Sequence, residues 1–470
     1  MPDLRATVSR AAMIGVMAAA VALIFGAPAA VLWGATGLLC LFLALNLRYF
    51  TVGTWVPVAL SLVVLIVALL RGVPAAVYMD AAGRMVFLAA LIAVLHMLRI
   101  AAGVAPEVAQ AGRFLTGQPA SRRYLALTFG GHLFGVLINF GGLALLLDLS
   151  TRAMKDRGAD DLPPELHEVR LRRMTLAVMR GFGLISLWSP LGFATNVVLI
   201  TLPGVSYTDF GPLGFAMSFV FVAIGWSLDR LAGRRYRQMA LPQPHPPPGS
   251  WVGAALLLGH VAFLGGLVVG LHEVSRLSFQ QALIVLVPLY ALGWTVWSTH
   301  RLAGGATAGL RTAAREAWLR QPRTAGEVGI FAAAGFLPVV LLALLPMGAL
   351  QTTAAGFGLG AVPSALGISA SIIVGALLGV NPIVTASVVG AVAAELAVPG
   401  LSLTAIALAI IGGWSVVIGL SPFITTIVFC ATIVGRPVWT VGPVWNGSYC
   451  AAVFGVWCVL LVTLMTTGTI

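Results

Sequence analysis

Residues 124–149 read YLALTFGGHLFGVLINFGGLALLLDL, an apolar block that holds five glycines and, near its middle, a single asparagine, Asn139. A plain membrane-spanning helix needs about 20 mainly apolar residues, and each glycine inside a helix costs about 1 kcal/mol relative to alanine. This block is therefore a poor straight span. It predicts two half-helices that meet at a turn, a bent or re-entrant arrangement that hydrocarbon tolerates only where the irregular backbone is buried in protein or lines a wet cavity.

Working outward, the segment 150–173, STRAMKDRGADDLPPELHEVRLRR, is charged and belongs in water. The apolar block 174–200 that follows is broken at Ser189-Pro190, and a plain span is expected at 213–228. On the other side, blocks at 11–27, 29–46, 54–70 and 85–98 predict four plain spans. The proline- and arginine-rich stretch 234–250, RRYRQMALPQPHPPPGS, reads as a linker that divides the chain almost in half. Beyond it come expected spans at 251–271, 279–298 and 328–349, an Arg-rich surface segment at 301–323, an irregular region at 350–398 containing GVNPIVTAS, a long block at 401–432 interrupted at Gly412-Gly413 and Ser421-Pro422, and a last span at 445–466.

Composition agrees with this pattern and removes the soluble classes. Of 470 residues, 59% are apolar and only 9% charged, against about a quarter charged in a soluble domain. The chain is expected to be an all-α polytopic membrane protein; blocks apolar on every side do not suit a barrel, whose strands alternate lipid-facing and lumen-facing residues. The net charge of +12 comes from arginines, with Lys155 the sole lysine, and their placement suits the positive-inside rule better than a nucleic-acid partner. With the N-terminus cytoplasmic and both irregular regions re-entrant, outside segments carry only Arg71, Arg84 and Arg276, Arg180 sits in a span, and the other 23 of the 27 basic residues fall inside. No cleavable signal peptide is evident, and Cys40, Cys430, Cys450 and Cys458 lack metal or redox spacing and read as packing residues.

The two halves repeat one order of features: a glycine-rich region with a mid-depth asparagine, a block broken at Ser-Pro, then a plain span. In the first, GVLINFGG with Asn139 precedes WSPLGFATN; in the second, GVNPIVTAS with Asn381 precedes GLSPFITT. The assumed topology makes the two units oppositely oriented, an inverted-topology repeat with two re-entrant hairpins and two broken transmembrane helices, as in secondary transporters. Ser189, Thr195, Asn196, Thr385, Ser387, Ser421, Thr425 and Thr426 crowd the breaks, all neutral oxygen donors suited to a hard cation or to a carboxylate's hydrogen bonds.

Together these motifs resemble the ion transporter superfamily, which includes divalent-anion/sodium symporters, citrate carriers, arsenite pumps and sodium/proton antiporters. The resemblance spans 115–232 and 328–466. It implies an elevator-type transporter that binds solute and coupling ion between hairpin tips and helix breaks, with Asn139, Asn381 and Pro382 at the tips and Ser189, Pro190, Thr195, Asn196, Ser421, Pro422, Thr425 and Thr426 at the breaks. It also implies a homodimer formed through scaffold helices. The tips read Ile138-Asn139-Phe140 and Val380-Asn381-Pro382, where dicarboxylate carriers have Ser-Asn-Thr signatures.

The resulting expectation is an ion-coupled secondary active transporter, not an enzyme, carrying a small, carboxylate-like solute across a bacterial inner membrane, with no other cofactor and no nucleic-acid partner. Its parts are N-terminal scaffold helices (1–114), a first repeat (115–232), a linker with scaffold helices (233–327) and a second repeat (328–470). Sodium at Asn139 and Asn381 is favoured over protons because no carboxylate is evident at mid-depth. The alternatives are a membrane enzyme acting on a lipid-linked substrate and a permease subunit of a larger complex. Among ionisable groups in or near spans, which include His260, Asp148, Glu327 and Glu395 are assigned to block ends near headgroup water, His132 to packing, and Arg180 to the inner interface or an anion entrance.

Overall fold

The computed structural model describes residues 4–155, 163–234 and 246–470, so most of the linker and part of the charged segment after residue 150 lie outside the described residues. Among the described residues the chain is helical, without strands. The first half comprises α1 (Leu4–Ile24), α2 (Ala29–Leu45), α3 (Val52–Leu70), α4 (Ala75–Val104), α5 (Pro106–Thr116), α6 (Ala120–Ile138), α7 (Phe140–Lys155), α8 (Pro164–Gly183), α9 (Ile185–Trp188), α10 (Phe193–Thr201) and α11 (Tyr207–Ala232). The second comprises α12 (Trp251–Val274), α13 (Phe279–Thr299), α14 (Gly305–Arg320), α15 (Ala325–Leu344), α16 (Met347–Gly356), α17 (Ala361–Leu377), α18 (Pro382–Leu396), α19 (Leu403–Val417), α20 (Thr425–Val434) and α21 (Trp445–Thr466).

Nine helical stretches among the described residues are long and apolar enough to cross a membrane, and a tenth is counted if α16 and α17, which meet at 118°, form one bent span. Outward-facing apolar side chains such as Leu62, Val63, Ile66 and Leu69 on α3, Leu258 and Phe263 on α12 and Val459 on α21 are more than half exposed, as expected where lipid takes the place of a protein neighbour. The chain is a multi-pass membrane protein. At its centre stands α4, which runs for 30 residues where 85–98 was expected; the added N-terminal turns carry the Asp80–Arg84 pair. The expected surface segment 301–323 is largely helical, as α14, and packs on α13 and α4. The span expected at 328–349 is α15, displaced toward the N-terminus and stopped by Leu345-Pro346.

The two irregular regions are helical hairpins. In the first, α6 and α7 fold back on each other at Asn139; Gly142 lets the second arm meet the backbone of Phe134, where an added Cβ would overlap the carbonyl. In the second, α17 and α18 are joined by residues 378–381. Their surroundings correspond pair by pair: α6 packs along α8 as α17 packs along α19, and α20 lies against α7 as α10 lies against α18. Glycine makes both of the first contacts. Gly131 and Gly181 place α6 and α8 backbone to backbone, and Gly413 does so for α19 on Ser369 of α17, where Ser369 Oγ also donates to Ala409 O at 2.7 Å.

Candidate functional site

Both Ser-Pro breaks interrupt helices. Between α9 and α10, residues 189–192 leave the helix, and Asn196 Nδ2 donates to the carbonyls of Pro190 at 3.0 Å and Gly192 at 2.8 Å, the latter also accepting the backbone N–H of Asn196. A side-chain donor thus serves the carbonyl that the unwound turn leaves without a helix partner. Between α19 and α20, Ser421 plays a different part: its hydroxyl donates to Ala376 O of the second hairpin at 2.7 Å and accepts from Phe423 N at 3.3 Å.

The hairpin tips and the breaks converge on a cavity of about 80 Å³. Its wall is built from Asn139 and Phe140 of the first tip, Asn381 to Ile383 of the second, Phe182, Ser186 and Phe193 around the first break, Trp414 and Ile424 to Thr426 around the second, and Glu327 and Phe331 of α15. The wall is mainly apolar, with Phe140, Phe182, Phe193, Phe331 and Trp414 as its aromatic part. Phe140 lies 5.4 Å from Phe182, and Phe193 meets Phe331 edge-on at 4.8 Å between ring centroids. A few polar groups set in an apolar wall are the usual form of a small-molecule site.

Of the residues singled out in the sequence, the structure brings Asn139, Asn381, Pro382, Thr425 and Thr426 to this cavity. Ser189, Thr195 and Asn196 are fully buried around the first break, and Ser189 Oγ, Thr195 Oγ1 and Asn196 Oδ1 have no hydrogen-bond partner among the described protein atoms. The same is true of Asn139 Oδ1. Pro190, Ser421 and Pro422 form the breaks themselves. Thr385 packs inside the second hairpin against Gly375, and Ser387 Oγ bonds to Val384 O of its own helix at 3.0 Å.

Several functional expectations change. Glu327, expected near headgroup water, lines the cavity and pairs with Arg99 at 3.2 Å and His96 at 3.7 Å, so a carboxylate does stand at the site. The sequence hides this because the position of the first turn of α15 is set by helices distant in the chain. Arg180 neither snorkels nor reaches an entrance: it is 7% exposed, its guanidinium donating to Asn446 Oδ1 at 2.8 Å, Tyr124 Oη at 3.2 Å and Gly225 O at 3.3 Å and lying over Tyr449. Asn446 Nδ2 in turn donates to Gly419 O at 3.0 Å, which ties the first broken helix to the second break. Trp414, Ser186 and the phenylalanines, none of them a candidate site residue in the sequence, are part of the cavity wall. His132 accepts from Trp188 Nε1 at 3.3 Å, His260 stacks on Trp294, Asp148 pairs with Arg152, and Glu395 is exposed. Cys40 is exposed too, contrary to its reading as a packing residue.

The chain is thus a multi-pass helical membrane protein whose two hairpins converge on a cavity between two broken helices. No family model matches the chain, and no curated protein matches it. Among solved structures, it is similar to the crystal structure of the Alcanivorax borkumensis YdaH transporter, described as having an unusual topology, with a TM-score of 0.60 and 16% identity over 88% of this chain and 98% of that one. At this identity the likeness is one of fold.

Proposed function

We propose that the protein is an ion-coupled secondary active transporter of a small anionic solute, carried across a bacterial inner membrane with the N-terminus cytoplasmic. One observation carries this reading: a cavity is walled at once by both hairpin tips, by residues beside both helix breaks, and by α15 outside those elements. Two hairpins and two broken helices in matching contacts suit an inverted repeat and a unit that moves as a body past a scaffold of the α1–α4 and α12–α15 type, which would expose the cavity to each side in turn. A homodimer through that scaffold belongs to the same reading.

Solute and ion would occupy different parts of the site. The cavity offers aromatic walls for the solute's apolar surface and the amides of Asn139 and Asn381 for its polar groups. Sodium, which takes oxygen ligands, suits the unpartnered oxygens of Ser189, Thr195, Asn196 and Asn139 around the first break. Asn381 Oδ1 accepts from Ile383 N at 2.9 Å and has one lone pair left for a ligand.

The test is the melting temperature of the purified protein in sodium or potassium against di- and tricarboxylates, amino acids, sulfate and arsenite. A ligand at 100 times its dissociation constant stabilises the folded state by about 2.7 kcal/mol. A sodium-dependent rise with one anion class, absent in Asn139→Gly, is the expected outcome. No rise with any anion in either salt would remove the anionic solute and the ion site together.

A further inference from the structure

At the start of α15 three ionisable side chains form one cluster, of which Glu327 lines the cavity and His96 and Arg99 lie beyond its wall. Glu327 opens α15 and contributes to the cavity wall, while His96 and Arg99, one turn apart on α4, approach it from behind. Arg99 Nη1 donates to Glu327 Oε2 at 3.2 Å and to His96 Nε2 at 3.1 Å. His96 Nδ1 lies 2.9 Å from the carbonyl of Ile92. That contact places the ring proton on Nδ1 and leaves Nε2 as the acceptor for the guanidinium, a neutral tautomer. The guanidinium also faces the ring of Phe193, 5.7 Å from its centroid, and Phe193 is itself part of the cavity wall. The side chain of Glu327 is about one-third exposed, at 32%, and that of Arg99 15%.

We propose that Arg99 is the cavity's anion-binding group, held in reserve by Glu327, and that a carboxylate or sulfonate ligand takes the guanidinium when Glu327 accepts a proton. The proposal rests on the anionic-solute reading above and names the group that would recognise the anion. Its basis is charge balance in a medium where unpaired charges are costly. With Glu327 ionised, the Arg99–Glu327 pair is neutral; when one proton taken up from the buffered bulk solvent binds the carboxylate and one anion binds Arg99, the site is neutral again. An anion entering without the proton would leave two negative charges beside one guanidinium. His96 and Phe193 hold the guanidinium in place through the exchange, and Arg is suited to the fork-like geometry that carboxylate and sulfonate oxygens present. His96 is thus a positioning residue.

The neighbouring elements are charge-poor where they meet this cluster. No ionisable side chain occurs on α3 or α10; α2 carries Cys40, α13 Tyr290, and α18 only Glu395 near its far end. The short turn 47–49 brings Arg48, whose guanidinium lies over Tyr49, and 321–324 brings the exposed Arg323. On the remaining neighbours of α4, Arg5 and Arg10 of α1 bond to Leu45 O and lie over Trp318 respectively, and Glu316 and Arg320 of α14 pair with each other beside Arg311 and Arg315. From α6 come Arg122, Arg123, Tyr124 and His132, the last two bonded to Arg180 and Trp188. Among the described residues, the ion-pair partner of Glu327 is Arg99, with the neutral His96 ring 3.7 Å away.

The probe is methanesulfonate, which stays ionised across the range of interest, read by melting temperature in potassium buffers from pH 5 to pH 8. Wild type should gain a saturable rise of several degrees at pH 5 that fades toward pH 8. Glu327→Gln, which cannot hold a charge against Arg99, should show the rise at every pH, and Arg99→Gln at none. The idea is overturned if wild type responds equally at both pH values, if it does not respond at pH 5, or if Arg99→Gln responds as wild type does. The wild-type titration stands without any variant, so a misfolded Glu327→Gln does not shelter the proposal. Because the probe is not the solute, a failed anion panel above and a failed methanesulfonate titration are separate results.

Discussion

The two hairpin tips occupy equivalent places in the two halves of the chain, yet their asparagines are used in opposite ways. Asn381 has ordinary backbone angles, φ −65° and ψ 128°, and its side-chain oxygen caps α18 by accepting from Ile383 N, with Pro382 at the first helical position. This is the arrangement that satisfies an orphan donor at a helix start. Asn139 joins two helices alone, at φ 56° and ψ −134°, and its side-chain oxygen is buried without a protein partner. The breaks differ in the same sense: Ser421 is bonded to Ala376 O, whereas Ser189 Oγ, at 0% exposure, has no partner. At the tips and at the breaks, then, the oxygen of the second half is bonded where that of the first is not, although Thr385 Oγ1 of the second hairpin is also buried without a partner. A buried, unpartnered oxygen costs free energy until something binds it, and the proposed ion site beside the first break would account for the contrast.

The largest effect that bears on this contrast comes from the bridge between the halves. Arg180 reaches from the first broken helix to Asn446, which bonds the carbonyl of Gly419 in the second break. Arg180→Met would leave Asn446 Oδ1 and the Tyr124 hydroxyl without this donor and should lower stability by about 1.5–3 kcal/mol, the range for a hydrogen bond to a charged group. Denaturation in detergent measures it. Arg180→Met/Asn446→Leu should recover part of the loss, since removing both partners leaves fewer polar groups unpaired. A single variant as stable as wild type would show that the halves are held together by packing alone.

The tips come next. Asn381→Ala removes a helix cap and should cost about 1 kcal/mol. Asn139→Gly should cost nothing and gain up to about 1 kcal/mol in potassium, because a non-glycine residue in this backbone region stores strain of that order. In sodium the ranking should reverse: Asn139→Gly loses the ion's stabilisation and Asn381→Ala keeps most of it. Equal losses in both variants would erase the contrast between the tips.

How much of this was legible beforehand depended on whether the cause is local. The tips were visible because their signals are short-range: glycines flanking Asn139, and an asparagine directly before Pro382 at a helix start. The breaks were visible because proline cannot continue a helix bond pattern. Glu327 and Arg180 were misplaced because the partners that define them, Arg99 and Asn446, lie 228 and 266 residues away. A position near the end of an apolar block reads as an interface in sequence, and only packing shows that the end of α15 borders the cavity. The aromatic wall was missed for the same reason, since Phe182, Phe193 and Phe331 look like ordinary span residues until three helices bring them together.

The smallest effect is also the one that separates a structural hydroxyl from a ligand-binding one. Ser421→Ala deletes a 2.7 Å bond to Ala376 O and leaves that buried carbonyl without its extra donor; a loss of about 0.5–1 kcal/mol follows, the same in sodium and potassium. Ser189→Ala removes a buried hydroxyl that bonds to nothing in the protein. In potassium it should be neutral or stabilising by up to about 1 kcal/mol, because the lost oxygen was desolvated and made no bond in return. In sodium it should fall below wild type by the amount that the ion contributes through that oxygen. The sodium-minus-potassium difference is therefore the quantity to measure, and a difference for Ser189→Ala equal to that of wild type would place the ion away from the first break, leaving Asn139 to be explained by strain alone.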